Sequence, residues 1–113
     1  VTRLGDVLRR VRARIADRAH WTRATFARDA RGFTVGCRSP EAVRWCMRGA
    51  VYAEVDLRPD GQFDDPALVG AVLNELEKAI PSGIPVSAFN DTSPHRLVIE
   101  VFDRAIAACE ASS

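Results

Sequence analysis

The chain has 113 residues, 47% apolar and 27% charged, with a formal net charge of +1. That length holds one domain with a proper core and needs neither metals nor disulfides. Three cysteines make no disulfide framework and fit a reducing compartment, and no apolar run reaches the ~20 residues of a membrane helix. The N-terminal VTRLGDVLRRVRARIA lacks the uninterrupted apolar segment of a secretory leader, so the expected location is cytoplasmic.

The small net charge conceals a split. Residues 1–48 hold twelve arginines against four carboxylates, and residues 49–113 hold four cations against eleven carboxylates. Either the two halves neutralise each other across the fold or a dimer, or a basic face is left for a polyanion.

Leu4, Val7, Leu8, Val11 and Ile15 recur at helical spacing and predict an amphipathic helix over residues 3–19. Arg9, Arg10, Arg12 and Arg14 fall beside or opposite that stripe, which makes this helix the candidate nucleic-acid element. Asp6 and Asp17 on the outer face weaken that reading. Next, Phe26 and Phe33 bracket Asp29-Ala30-Arg31-Gly32, a turn sequence that predicts a hairpin pairing 25–28 with 33–35.

Ser39-Pro40 reads as an N-cap followed by the first helical position, opening a helix over residues 39–55. Ala42, Val43, Cys46, Met47, Ala50 and Val51 give it an apolar stripe, and Gly49 and Ala50 admit close approach by another element. It is the expected centre of the fold. Arg58-Pro59-Asp60-Gly61 is a turn, Asp64 or Asp65 caps a third helix starting at Pro66, and Pro81-Ser82-Gly83 ends it. Residues 84–91 read as extended. Thr92 or Ser93 then caps a last helix opened by Pro94, with Leu97, Val98, Val101, Phe102, Ala105, Ile106 and Cys109 on its apolar face and fraying expected over 110–113.

The expected fold is therefore a single mainly α domain over residues 1–113, four helices in antiparallel packing with a small β-hairpin, an α+β arrangement being the alternative. Trp21, ARDARG at 27–32, AVRWCMRGA at 42–50, FND at 89–91 and VFDRAI at 101–106 together carry a resemblance. In this order they resemble a family of short bacterial and phage proteins, the domain of unknown function 6197, over about residues 4–108. The resemblance implies one compact domain and brings no activity, cofactor or catalytic residue with it.

Cys46, with His20 or His95 as base and Asp91 as orienting group, is the nearest approach to a nucleophile set. Placed mid-helix on the apolar stripe, Cys46 reads instead as a small core residue. Neither histidine stands at zinc-ligand spacing, Cys37 and Cys46 suggest no metal site, and no phosphate loop is present, so no metal and no cofactor is expected. The polar pair Asn90-Asp91 either builds the turn before the last helix or joins Trp21 and Trp45 around a concave site for a nucleotide-like, sugar-like or cationic ligand. Arg44 and Arg48, one turn apart on the expected helix, would add a phosphate contact. The functional expectation is a non-enzymatic binding or interaction module. Its partner would be a protein or a second copy meeting the split charge, and the family's occurrence suggests a phage or mobile-element accessory. A small-ligand binder or modest enzyme and a nucleic-acid binder are the alternatives.

Overall fold

The computed structural model describes residues 3–55 and 65–111. It is mainly α, with a two-stranded antiparallel element laid against the helices. In chain order the elements are α1 (Arg3–Ile15), a 3-10 turn (Arg18–His20), β1 (Ala27–Arg28), β2 (Arg44–Trp45), α2 (Met47–Glu54), α3 (Pro66–Ala79), α4 (Val86–Thr92) and α5 (His95–Ala111). The expected turn at Arg58–Gly61, a cap at Asp64 and residues 112–113 lie outside the described residues, while Glu110 and Ala111, within the expected frayed end, are the last residues of α5.

The α1 stripe points inward as its spacing predicts, with Val7, Leu8, Val11 and Ile15 buried. The helix stops at Ile15 rather than 19 because Asp17 takes an extended backbone and its Oδ1 accepts from Ala19 N at 2.9 Å, starting the 3-10 turn. α1 packs on α5, α2 and α3, so the centre of the fold belongs to it as much as to α2.

The helix expected over 39–55 is half that length. Ser39 Oγ accepts from Glu41 N at 3.2 Å and builds a local turn, and the cap that opens α2 is Cys46. The intervening backbone pairs with β1: Ala27 faces Trp45, Arg28 faces Arg44, and Cys46 N donates to Phe26 O at 3.2 Å. A waiting strand partner outweighs local helix preference here. Gly49 makes the arrangement sterically feasible, since a Cβ at that position would fall onto the Phe26 carbonyl.

The hairpin turn forms as expected. Asp29 Oδ1 accepts from Arg31 N and Phe33 N, Gly32 closes the turn at φ +90°, and Arg28 bridges Thr34. α3 starts at Pro66 with Asp65 Oδ1 capping Leu68 N at 3.0 Å.

Residues 84–91 are not extended; they contain α4. Pro85 presets φ at −58° and its carbonyl accepts from Phe89 N, while Val86, Phe89 and Asn90 form a buried face at helical spacing. The fifth α-helix corrects the expected four. Thr92 Oγ1 bonds back to Ala88 O at 2.7 Å, within α4. α5 begins at His95 and buries Val98, Val101, Phe102, Ala105 and Cys109. Phe102, Leu8, Ile15, Met47 and Leu76 are the largest fully buried apolar side chains. Each contributes roughly 1.5–3 kcal/mol of apolar burial.

Part of the charge split closes across the fold. Arg3 pairs with Asp65 (3.2 Å), Arg12 with Asp103 (2.8 Å), Arg14 with Glu54 (3.5 Å), and Arg9 with Glu110. Each pair joins the basic half to the acidic half.

Candidate functional site

Asn90 is fully buried and lies where the Trp21–Thr22 segment, α2 and α4 meet. Its Oδ1 accepts from Trp21 Nε1 at 2.7 Å and from Met47 N at 3.1 Å. Its Nδ2 donates to Thr22 O at 3.0 Å and to Asp91 Oδ1 at 3.2 Å. A side-chain amide offers two acceptor positions and two donors, and all four are used. Asn90 therefore acts as a clasp between segments far apart in the chain.

The Asn-Asp pair thus divides its work. Asp91 is exposed, and its Oδ1 also accepts from Ala24 N at 2.9 Å. That bond holds Ala24 in the left-handed region at φ +69°, where an alanine is strained. Beside Asp91 opens a cavity of about 310 Å³, walled by Ala24, Thr25, Phe26, Cys46, Ser87 and Asp91.

Cys46 enters this site in a position its apolar periodicity did not indicate. It is the N-cap of α2, and its Sγ accepts from Gly49 N at 3.2 Å. Burial pushes the thiol pKa up; the N–H groups of Gly49 and Arg48 oppose that shift and the Asp91 charge adds to it. The thiol is protonated at neutral pH. No histidine lines the cavity among the described residues, and His95 Nε2 donates to Ile15 O at 2.7 Å while its ring packs on Trp21. Of the two candidate bases, His95 is engaged elsewhere and His20 does not line the cavity, so neither is placed to serve Cys46.

The other candidate residues disperse. Trp45 bridges Trp21 along the backbone, but its Nε1 donates to Cys37 O at 2.9 Å and its ring lies under Arg14 at 4.6 Å. Arg44 donates to Ala19 O at 3.2 Å, and Arg48 stands 6.0 Å over the Tyr52 ring. Because Arg44 is on β2 and Arg48 on α2, the one-turn spacing expected of them does not exist. Sequence reasoning passed over Thr25, Phe26 and Ser87. Ser87 and Asp91 are four apart, a shared face that becomes legible once α4 is known to be helical.

A wider groove of about 700 Å³ runs between α3 and α5, but Glu75 and Lys78 in its wall pair with each other at 2.8 Å. No group of three or more potential metal ligands occurs among the described residues. No described helix is long and apolar enough to cross a membrane.

No curated protein and no solved structure matches the chain. Residues 1–108 match the model of the Family of unknown function (DUF6197), and the chain belongs to that family.

Proposed function

We propose that this protein is a non-enzymatic interaction module that engages an anionic partner surface through residues 17–44. The carrying observation is a contrast in charge compensation. Of the five α1 arginines, Arg3, Arg9, Arg12 and Arg14 are paired with carboxylates of the other half, and Arg10 alone has none within ion-pair distance among the described residues. Arg18, Arg23, Arg28, Arg31 and Arg44 have no carboxylate within ion-pair distance among the described residues. Three of these donate to neutral oxygens: Arg23 to Ser93 O, Arg28 to Thr22 Oγ1 and Gly32 O, and Arg44 to Ala19 O. Such bonds fix the guanidinium groups without cancelling their charge. The exposed large apolar side chains among the described residues, Phe26, Phe33 and Val43, fall in the same segment. Exposed aromatics among arginines are the composition of a protein interface.

A second copy of the chain, with its acidic half, is one such partner, and a separate acidic protein is another. Nucleic acid on α1 has less support, because Arg9, Arg12 and Arg14 are already neutralised there. Cytoplasmic residence is supported by the three free cysteines. A role as a phage or mobile-element accessory is supported only by where the family occurs.

Native mass spectrometry of untagged protein from a homologous host extract tests the reading. The expected result is a stoichiometric complex that dissociates as salt is raised and is lost in Arg31→Glu/Phe33→Ser. A complex unaffected by that pair, or turnover abolished by Cys46→Ala without loss of folding, would overturn it.

A further inference from the structure

The cavity beside Asp91 adjoins the arginine surface and shares Phe26 with it, but its charge is of the opposite sign. Asp91 is the sole charged residue in its described wall, and no Lys, Arg or His lies within ion-pair distance of it among the described residues. In a chain with fifteen arginines, most of them in the half that supplies Ala24, Thr25 and Phe26, this carboxylate faces the cavity without a counter-ion. Its orientation is fixed from behind, since Oδ1 accepts from both Ala24 N and Asn90 Nδ2.

The remaining walls suit the stem of a cation. Phe26 lines the cavity and its ring stands T-shaped to that of Tyr52 at 5.4 Å, and aromatic rings attract ammonium and guanidinium groups. Thr25 and Ser87 supply hydroxyl oxygens that can accept from such a group. An anion finds little here. In the first turn of α2 the Met47 N–H is held by Asn90 Oδ1 and the Gly49 N–H by Cys46 Sγ. The size is also restrictive. At about 310 Å³ the cavity stands at the lower end of small-molecule sites, which run from roughly 300 to 1,000 Å³.

We propose that this cavity binds a single alkylammonium or alkylguanidinium group, with its charge on Asp91 and its stem along Phe26. The group comes either from a free amine or from a lysine or arginine side chain of a partner.

Titration of the full chain, followed by amide chemical shifts, tests this with n-butylammonium, n-butylguanidinium and neutral n-butanol. The cations are expected to give saturable shifts at Ala24, Phe26, Ser87 and Asp91, with affinity about fivefold or more above butanol. Asp91→Asn retains an oxygen for Ala24 N and Asn90 Nδ2 but removes the charge, and should bring the cations down to the level of butanol. Ser87→Leu should block all three probes by filling the cavity from α4, and it carries the test if Asp91→Asn fails to fold. Nα-acetyl-lysine methylamide separates the sources. Binding equal to that of butylammonium supports a partner side chain, and binding of butylammonium alone supports a free amine. Equal affinity for butanol and butylammonium, undiminished binding in Asp91→Asn, or shifts spread over the carboxylates of α3 and α5 would overturn the assignment.

Discussion

The indole N–H of Trp21 donates to Asn90 Oδ1 at 2.7 Å across 69 positions of sequence, and the same oxygen takes the first N–H of α2 from Met47. One buried amide thereby sets the position of the segment after the 3-10 turn, the start of α2 and the last turn of α4. The cavity beside Asp91 lies where those three segments converge.

Removing that amide strands several groups at once. Asn90→Ala leaves the Trp21 and Met47 N–H groups and the Thr22 carbonyl without their partner. The expected loss is about 3 kcal/mol, at the upper end of ordinary single substitutions. Urea unfolding followed by tryptophan fluorescence measures it, and a loss below ~1 kcal/mol would mean that water replaces the amide.

Gly49→Ala tests the contact between β1 and α2. The new methyl would meet the Phe26 carbonyl and neighbouring backbone, not the yielding end of a side chain. Overpacking of this kind costs typically 1–3 kcal/mol. Because Cys46 N donates to that same carbonyl, faster hydrogen exchange at Cys46 should accompany the loss.

Ala24→Gly should act in the opposite direction. The alanine is held at φ +69°, which costs an L-residue roughly 1–2 kcal/mol, while glycine in the unfolded chain gives back roughly 0.5–1 kcal/mol. The net expectation is a stabilisation of about 0.5 kcal/mol, read as a rise in the urea midpoint with unchanged slope.

These residues also mark how far sequence reasoning reaches. The stripes of α1 and α5 place their buried side chains, because each helix has one wet face and one dry one. Four arginines of α1 close part of the charge split across the fold, as one of its two readings expected. Ser39-Pro40 misleads, since a strong local start signal cannot register that Phe26, thirteen positions earlier, will offer its carbonyl to Cys46. α4 is missed for a related reason. Its buried face is Val86, Phe89 and Asn90, and an asparagine counts as polar until its four partners are known. Both misreadings concealed the same site. Cys46 and Ser87 become cavity walls only when α2 starts late and α4 is helical.

The thiols give the pH dependence. Burial is the main cause that raises the pKa values of Cys37, Cys46 and Cys109 above the ordinary cysteine range. The folded state therefore holds these protons more tightly than the unfolded chain, whose thiols titrate near ~8.5. Their contribution is fully present below that value and is lost as pH rises through the folded pKa values. Stability should be flat in this respect around neutrality and decline above about pH 8.5. At Cys46 the Asp91 charge adds to the upward shift, so Asp91→Asn should make its alkylation by iodoacetamide begin at lower pH than in the parent chain. The N–H groups of Gly49 and Arg48 oppose the shift and are unchanged by that substitution, so their effect cancels in the comparison. An identical pH profile in the two proteins would mean that burial alone sets the reactivity of this thiol, and that the carboxylate in the cavity wall does not act on it.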